Sequence, residues 1–509
     1  MKVSLINLNL VAEDAIGTCI INQVRFFRRR GDDVRVYILH PPHNVPDDVE
    51  AVTSVVTLRA FIEGQHDHFD LSDLYIYHYP GHYSLIESIR GIDRGTVIFY
   101  YHNVTPPELW GSDVGRDSLV RGAEGRALVH YADLCIADSP FNKQELVDLG
   151  YAADRAHVLP LAVPLEQFAP DDKNSELVRR YKLEGQRVLL FVGRMAGNKR
   201  IDLLVEALAR VKGQIPNTKL LLVGDHESNP AFHPIVARVR ERAAELGVAG
   251  DVVWTGRVDE LSSYYQLADV FVSASLHEGF GVPLIEAMAC GVPVVASRAG
   301  AMSWVVDDAG LICEPGSADD MAEKVLTALQ DADLRQSIVE RGLERVKAFG
   351  LEQYETRFAE IVDQTVTYVL PRDSLESVVE KSEGARRKPA SAAFRDEVVL
   401  GILTTEIKDR SDIAIRGYTI RSGLPLVGPL IAWIRRNLTS HLREPYLDPM
   451  IERQVAFNHT VAEWMKRAAN VWGFVTRRQT QLEKRVQALE VQVEALTRSL
   501  DEGKELEEH

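Results

Sequence analysis

Short apolar runs alternating with amphipathic stretches constrain this chain more than any other feature. Val3–Leu10, Val34–Leu39, Leu74–His78, Val97–Tyr101, Leu134–Ala137 and Val158–Leu161 are runs of strand length. Helical patterns such as Ile20–Arg30 and Ser118–His130 lie between them. A polar break follows at Ala169–Glu176, with Pro170, Asp171, Asp172 and Asn174. A second set then runs through Val188–Val192, Leu220–Val223, Val252–Trp254, Val270–Ala274, Val294–Ala296 and Leu311–Cys313, with Ile201–Val211 and Ile235–Glu245 as helical patterns. Strand–helix alternation points to parallel sheets covered on both faces. The expected architecture is α/β: two doubly wound Rossmann-like domains, residues 1–168 and 178–350, facing a cleft. Ligands of such sheets bind beyond the carboxyl ends of the strands, so the cleft is the expected site.

Composition narrows the function classes. The chain has 509 residues, a formal net charge of −16, a hydrophobic fraction of 46% and a charged fraction of 26%, ordinary for a soluble globular protein. The acidity argues against nucleic acid as a partner, because phosphate backbones need a positive field. Cys19, Cys135, Cys290 and Cys313 are scattered without a Cys-x-x-Cys, which favours a reducing compartment and excludes a cysteine zinc framework. The opening Lys2–Leu8 reads as a strand rather than a signal peptide, and no run of 18 apolar residues exists. The expected location is cytoplasmic. No Gly-x-Gly-x-x-Gly follows the first strand, which argues against a dinucleotide-dependent dehydrogenase.

Two segments carry chemistry. In Ser275–Ser297, SLHEGFGVPLIEAMACGVPVVAS, Gly279 and Gly281 permit a tight loop and Pro283 suits the first turn of a helix. Glu278 falls in the loop and Glu286 near the helix start. The N–H groups of that helix end attract phosphate, and carboxylates hydrogen-bond sugar hydroxyls. In Phe191–Asp202, FVGRMAGNKRID, Arg194 and Lys199 project where a strand gives way to a helix. Two cations there would neutralise a diphosphate leaving group.

GRMAGNKRIDLLVEAL, the loop EGFGVPLIE and ACGVPVVAS together resemble glycosyltransferase family 4. The resemblance covers about Met1–Leu370 and implies the two-Rossmann GT-B fold and transfer with retention of the donor's anomeric configuration. It implies that Arg194 and Lys199 bind the diphosphate of a nucleotide sugar, that Glu278 contacts the transferred sugar and that Glu286 holds the ribose hydroxyls. The backbone N–H groups of Phe280 and Gly281 would face the donor sugar, and Val282 and Pro283 would meet the phosphates or ribose. Arg257 and Val258 match the loop along the base. Gly17, in EDAIGTCI, matches a glycine-rich loop near the donor phosphates, although the family often has Gly-Gly where this chain has Ile16-Gly17. His102, in FYYHNVTPPE, matches a histidine facing the reacting sugar; Asn103 takes a place where aspartate is common. Ser139, Phe141 and Asn142 in ADSPFNKQEL would border the acceptor or close the cleft.

The resemblance further implies a retaining hexosyltransferase with catalytic roles for Glu278, His102, Arg194 and Lys199. It would need no cofactor and no metal, since the cations and a helix end stabilise the leaving diphosphate. The Asp-x-Asp at Asp331–Asp333, a pattern that often holds metal, reads as solvated surface. Retention without a protein nucleophile implies front-face attack, with a phosphate oxygen taking the acceptor's proton. The leading donor is GDP-mannose, with a UDP-hexose as the alternative, and the acceptor a cell-surface glycan or lipid-linked sugar. Two rivals are a soluble glucan or glucoside synthase and a catalytically idle scaffold of a polysaccharide assembly complex.

Other histidines read more plainly. His66-Asp67-His68 is expected to be a loop. His78 and His82 flank a turn, with acceptor contact as the alternative. His277 either touches the donor or packs in its loop. Beyond the two domains the expectations are a closing helix at 351–370, a linker at 371–420, a helical segment at 421–476 and a coiled coil at 477–500. Arg421–Arg443 contains Arg421, Arg435, Arg436 and Arg443 without an acidic residue, beside Leu424, Leu430 and Trp433. It suits either an anionic lipid surface at the inner face of the cell membrane or packing on the catalytic body. Leu482, Val486, Leu489, Val493, Leu496 and Leu500 alternate spacings of four and three, which favours an oligomer or a partner helix over packing back on the chain.

Overall fold

A computed structural model describes residues 1–57, 66–92 and 94–368, together with position 461. The expected linker, arginine-rich segment and coiled coil, residues 371–500, lie outside the described residues apart from that position.

Two parallel sheets form. The first contains β1 (Lys2–Ile6), β2 (Asp33–Ile38), β3 (Thr53–Val55), β4 (Leu74–Tyr79), β5 (Thr96–Tyr101), β6 (Leu134–Ala137) and β7 (Ala156–Val158), in the order β3-β2-β1-β4-β5-β6-β7. The second contains β8 (Arg187–Val192), β9 (Thr218–Val223), β10 (Val252–Gly256), β11 (Val270–Ser273), β12 (Val294–Ser297) and β13 (Leu311–Cys313), in the order β10-β9-β8-β11-β12-β13. Both orders reverse direction beside the first strand of the set, which opens a crevice at the carboxyl ends there.

The apolar runs are strands because both faces are covered. Along β8, Val188 and Leu190 enter one core while Leu189 and Phe191 enter the core on the opposite face. A strand buried on both sides reads as a continuous apolar run rather than an alternating one.

Some boundaries differ from expectation. β1 stops at Ile6, four residues early, where the Asn7 side chain turns back to the Asn9 carbonyl at 2.8 Å. β7 ends at Val158, ahead of Pro160, which has no N–H to give a ladder. The stretch expected as one helix from Ser118 divides into Arg116–Gly125 and a tighter 3₁₀ segment, Arg126–Tyr131. Of His66-Asp67-His68, expected as loop, Asp67 and His68 open one helical turn, Asp67–Asp70, which His66 precedes.

The helix Leu351–Tyr368 follows the second sheet and packs on the first domain. Phe358 meets Phe26 and Phe27 edge-on, with centroids 5.1 and 5.6 Å away, and Arg30 pairs with Asp363 at 3.0 Å. Fully burying such a phenylalanine contributes about 1.5–3 kcal/mol. Among the described residues no helix is long and apolar enough to cross a membrane.

Candidate active site

The carboxyl end of β8 is built by close approach of backbones. Gly193 and Gly224 follow β8 and β9 and Gly256 ends β10, and a Cβ on Gly224 would lie 2.0 Å from the Gly193 oxygen. After Gly193 the chain passes Arg194 and reaches Lys199, and Arg200 takes a left-handed conformation (φ 48°) before the helix Ile201–Lys212. The Lys199 ammonium is hydrogen-bonded to the Glu278 carboxylate. Arg194 is exposed at the cleft, its guanidinium carbon 5.9 Å from the Trp110 ring centroid.

The loop after β11 presents Glu278. Gly281 is left-handed (φ 101°) and caps the helix Val282–Ala289, with Pro283 in its first turn. The Glu278 carbonyl accepts a hydrogen bond from the Ala301 N–H at 2.8 Å, and a Cβ on Gly300 would collide with the same oxygen at 2.2 Å. Glu286 is buried, and its carboxylate accepts a hydrogen bond from the Tyr265 hydroxyl at 2.6 Å. Burial lifts the Glu286 carboxyl to about 7, against the opposing pull of that bond.

The first domain reaches this loop at two points and the Lys199 loop at a third. His277 Nε2 lies 2.6 Å from Asn103 Oδ1, the Ser139 hydroxyl donates to the Gly279 carbonyl at 2.7 Å, and the Gly197 N–H donates to the Trp110 carbonyl at 3.0 Å. Gly279 and Gly197 are glycines for space: a Cβ would lie 2.3 Å from Asn103 Cβ and 2.5 Å from the Trp110 oxygen. Asn142 Nδ2 and Asn198 Oδ1 are buried there without a hydrogen-bond partner. A buried group left so costs about 1–3 kcal/mol, which a bound ligand could recover.

Of the expected residues, Lys199 and Glu278 are joined, while Arg194 is exposed and lies over Trp110. Phe280, Gly281, Val282, Pro283 and Glu286 share the next turn and helix. Arg257 is exposed and Val258 half-buried just beyond β10. Gly17 is buried at the start of the helix Ala15–Arg29, where a Cβ would lie 1.8 Å from the Val11 oxygen. The close approach there is to the chain's own loop, which requires glycine at position 17.

His102 follows β5, but its side chain is 1% exposed. Nδ1 faces the Asp138 carboxylate at 3.0 Å and Nε2 faces His78 Nδ1 at 2.8 Å. Both ring nitrogens are engaged inside the first domain. His78 is fully buried, and His82 pairs with Glu87 at 2.8 Å. His277 meets the first domain, edge-on to Phe141 and 2.6 Å from Asn103. Asp331 caps the helix Ala332–Arg345 through the Leu334 N–H at 2.9 Å, a surface role.

Asp138, Gln23, Trp110 and Tyr354 were not singled out from the sequence. Asp138 carried a signal, a carboxylate at the end of an apolar run; Tyr354 carried none.

Two doubly wound sheets whose strand ends meet over a paired lysine and glutamate define a GT-B type transferase architecture. The chain belongs to the family 4 glycosyltransferases. Residues 173–345 match the model for "Glycosyl transferases group 1" and residues 16–167 that for "Glycosyltransferase Family 4". O-antigen chain mannosyltransferase B of Escherichia coli is 29% identical over 56% of this chain and 72% of its own. D-inositol 3-phosphate glycosyltransferase of Kribbella flavida is 31% identical over 54% of this chain and 69% of its own. The GDP-mannose-dependent alpha-(1-6)-phosphatidylinositol monomannoside mannosyltransferase of Mycolicibacterium smegmatis is 32% identical over 40% of this chain and 54% of its own. Among solved structures, HepE from Anabaena, in complex with UDP and glucose, superposes with a TM-score of 0.59 at 18% identity, covering 72% of this chain and all of that one. WaaG, a glycosyltransferase involved in lipopolysaccharide biosynthesis, gives 0.55 at 18% identity over 70% and 99%. These two likenesses are of fold.

Proposed function

We propose that the chain transfers a hexose from a nucleotide sugar to an acceptor hydroxyl with retention of configuration. The observation that carries this reading is the Lys199–Glu278 pair, in the loop that leads into the helix Val282–Ala289. As the bond from the sugar's C1 to the diphosphate oxygen breaks, positive charge grows on the ring and negative charge on the leaving group. Lys199, Arg194 and the helix N–H groups stabilise the diphosphate, and Glu278 holds the sugar. The acceptor oxygen bonds to C1 on the face the diphosphate leaves, and its proton passes to a phosphate oxygen. These residues supply the charge stabilisation without a metal ion. Glu286 binds the ribose, and Arg257 and Val258 lie along the base.

GDP-mannose is the proposed donor, supported by the mannosyltransferases among the relatives, and a cell-surface glycan or lipid-linked sugar the proposed acceptor. The test is a panel of nucleotide sugars with purified full-length protein and a lipid-linked acceptor mixture, read by product mass and repeated in EDTA. A hexose added from GDP-mannose, undiminished in EDTA, is expected. Absence of transfer from every nucleotide sugar, or loss of transfer in EDTA that added metal restores, overturns the corresponding part.

A further inference from the structure

A buried hydrogen-bond chain runs from the cleft to the closing helix. Gln23, on the helix Ala15–Arg29, donates through Nε2 to the Tyr354 hydroxyl at 3.0 Å, and its Oε1 lies 3.0 Å from His78 Nε2. An amide oxygen only accepts, so His78 Nε2 carries the hydrogen. His78 is fully buried and burial holds it neutral, which leaves its Nδ1 bare. His102 Nε2, 2.8 Å from that Nδ1, must then donate. The ring planes of His78 and His102 lie within 4° of each other.

That assignment reaches Asp138. A neutral His102 with hydrogen on Nε2 has a lone pair at Nδ1, and the Asp138 oxygens lie 3.0 and 3.2 Å from it. A bare carboxylate there would set acceptor against acceptor. One further proton, on Nδ1 or on the carboxyl, satisfies both. Burial raises the Asp138 carboxyl above its ordinary range, opposed by His102. The other groups facing the pair are Tyr100 from β5, stacked on His102 at 4.4 Å, and Cys19 from the same helix as Gln23. Turning the Gln23 amide over would reverse every donor and remove the extra proton.

The chain ends beneath the loop that carries Glu278. Asn103, next to His102, accepts from His277, and Ser139, next to Asp138, donates to Gly279. We propose that Asp138, His78, Gln23 and Tyr354 are positioning residues that fix His102, and through the adjoining Asn103 and Ser139 the loop that carries Glu278, for sugar transfer, and that Asp138 and His102 share one exchangeable proton beneath that loop. This rests on the transferase reading, which the Glu278→Ala variant tests separately.

The experiment compares full-length wild type, Asp138→Asn and Tyr354→Phe, using whichever nucleotide sugar the wild type turns over. Asparagine satisfies His102 without the shared proton. The expected result is a kcat about ten- to a hundred-fold lower in both variants with donor KM within about two-fold of wild type. The limb of the pH–kcat profile due to the Asp138 carboxyl should also vanish in Asp138→Asn. Nitrogen-15 histidine NMR of the wild type should show His78 neutral with hydrogen on Nε2, a readout independent of turnover and of any variant's folding. Wild-type kcat and pH profile in both variants, or hydrogen on His78 Nδ1, would overturn the proposal. Activity lost in Glu278→Ala but unchanged in these two would leave the transferase reading standing while the proposal falls.

Discussion

Asn103 and His277 join the two domains across the cleft through one hydrogen bond of 2.6 Å between the amide oxygen and Nε2. The oxygen only accepts, so the imidazole donates. Burial pushes His277 down to about 4, so the ring is neutral near pH 7. A group whose folded pKa lies below its usual 6.5 destabilises the fold as pH falls from about 6.5 towards 4, because the unfolded chain binds the proton first. Thermal unfolding between pH 8 and 4 should therefore show a steeper loss in wild type than in His277→Gln. Parallel curves would remove His277 from the explanation.

Gly279 permits that contact by having no side chain. In Gly279→Ala the added carbon would lie 2.3 Å from Asn103 Cβ and 2.8 Å from its Cγ, so one of the domains must move. Overpacking of this kind costs about 1–3 kcal/mol. Donor KM should rise, measured against wild type at one pH, and an unchanged KM would show that closure does not depend on this approach.

Lys199 holds Glu278 in the free protein and, on the proposed mechanism, meets the diphosphate in the transition state. Lys199→Ala should lower kcat about a hundred-fold or more, the scale for removing one preorganised stabilising group. Initial-rate kinetics at saturating donor check this. A rise in KM alone would assign Lys199 to uniform binding rather than to the leaving group.

Tyr265 controls the charge of Glu286. Its hydroxyl donates to the carboxylate at 2.6 Å and so opposes the burial that lifts Glu286 to about 7. In Tyr265→Phe the opposition is gone, and the Glu286 pKa should rise further. The acid limb of donor binding, followed by calorimetry across pH 6 to 9, should move to higher pH. A limb that stays in place would separate Glu286 from donor binding.

Glu87 tests stability away from the cleft. Burial alone would raise its carboxyl, but Arg90 at 2.5 Å and His82 at 2.8 Å outweigh it and hold it at about 2. A carboxyl lowered in this way gives stability that is full above about pH 4.5 and is lost as pH falls through 2. Arg90→Ala leaves the charge buried with one partner fewer, which should cost about 3–5 kcal/mol. Denaturant melts at pH 7 measure that loss, and acid unfolding of the variant should begin at higher pH than in wild type.

Most strands were legible because continuous apolar runs, largely buried on both faces, leave a plain mark even at three or four residues. β3, three residues with Val55 exposed, leaves none. Lys199 and Glu278, 79 residues apart, were legible as members of one site because each lies in a loop after a strand of one sheet, and the fold brings strand ends together; their direct pairing was not. Gln23 and Tyr354, 331 residues apart, meet only because the last helix returns to the first domain. The engagement of His102 by Asp138 and His78 was hidden for a related reason. Sequence places a histidine at a strand end, but which neighbours take its two nitrogens depends on packing between adjacent strands. Trp110 on Gly197 is a contact between domains, and neither local pattern announces it.

The central claim is transfer with retention at the Lys199–Glu278 site, and the most direct measurement is the one-bond C1–H1 coupling at the anomeric carbon, by NMR, of the product made from an α-linked nucleotide sugar. Retention at this site predicts an α-linked product. A β-linked product would contradict it.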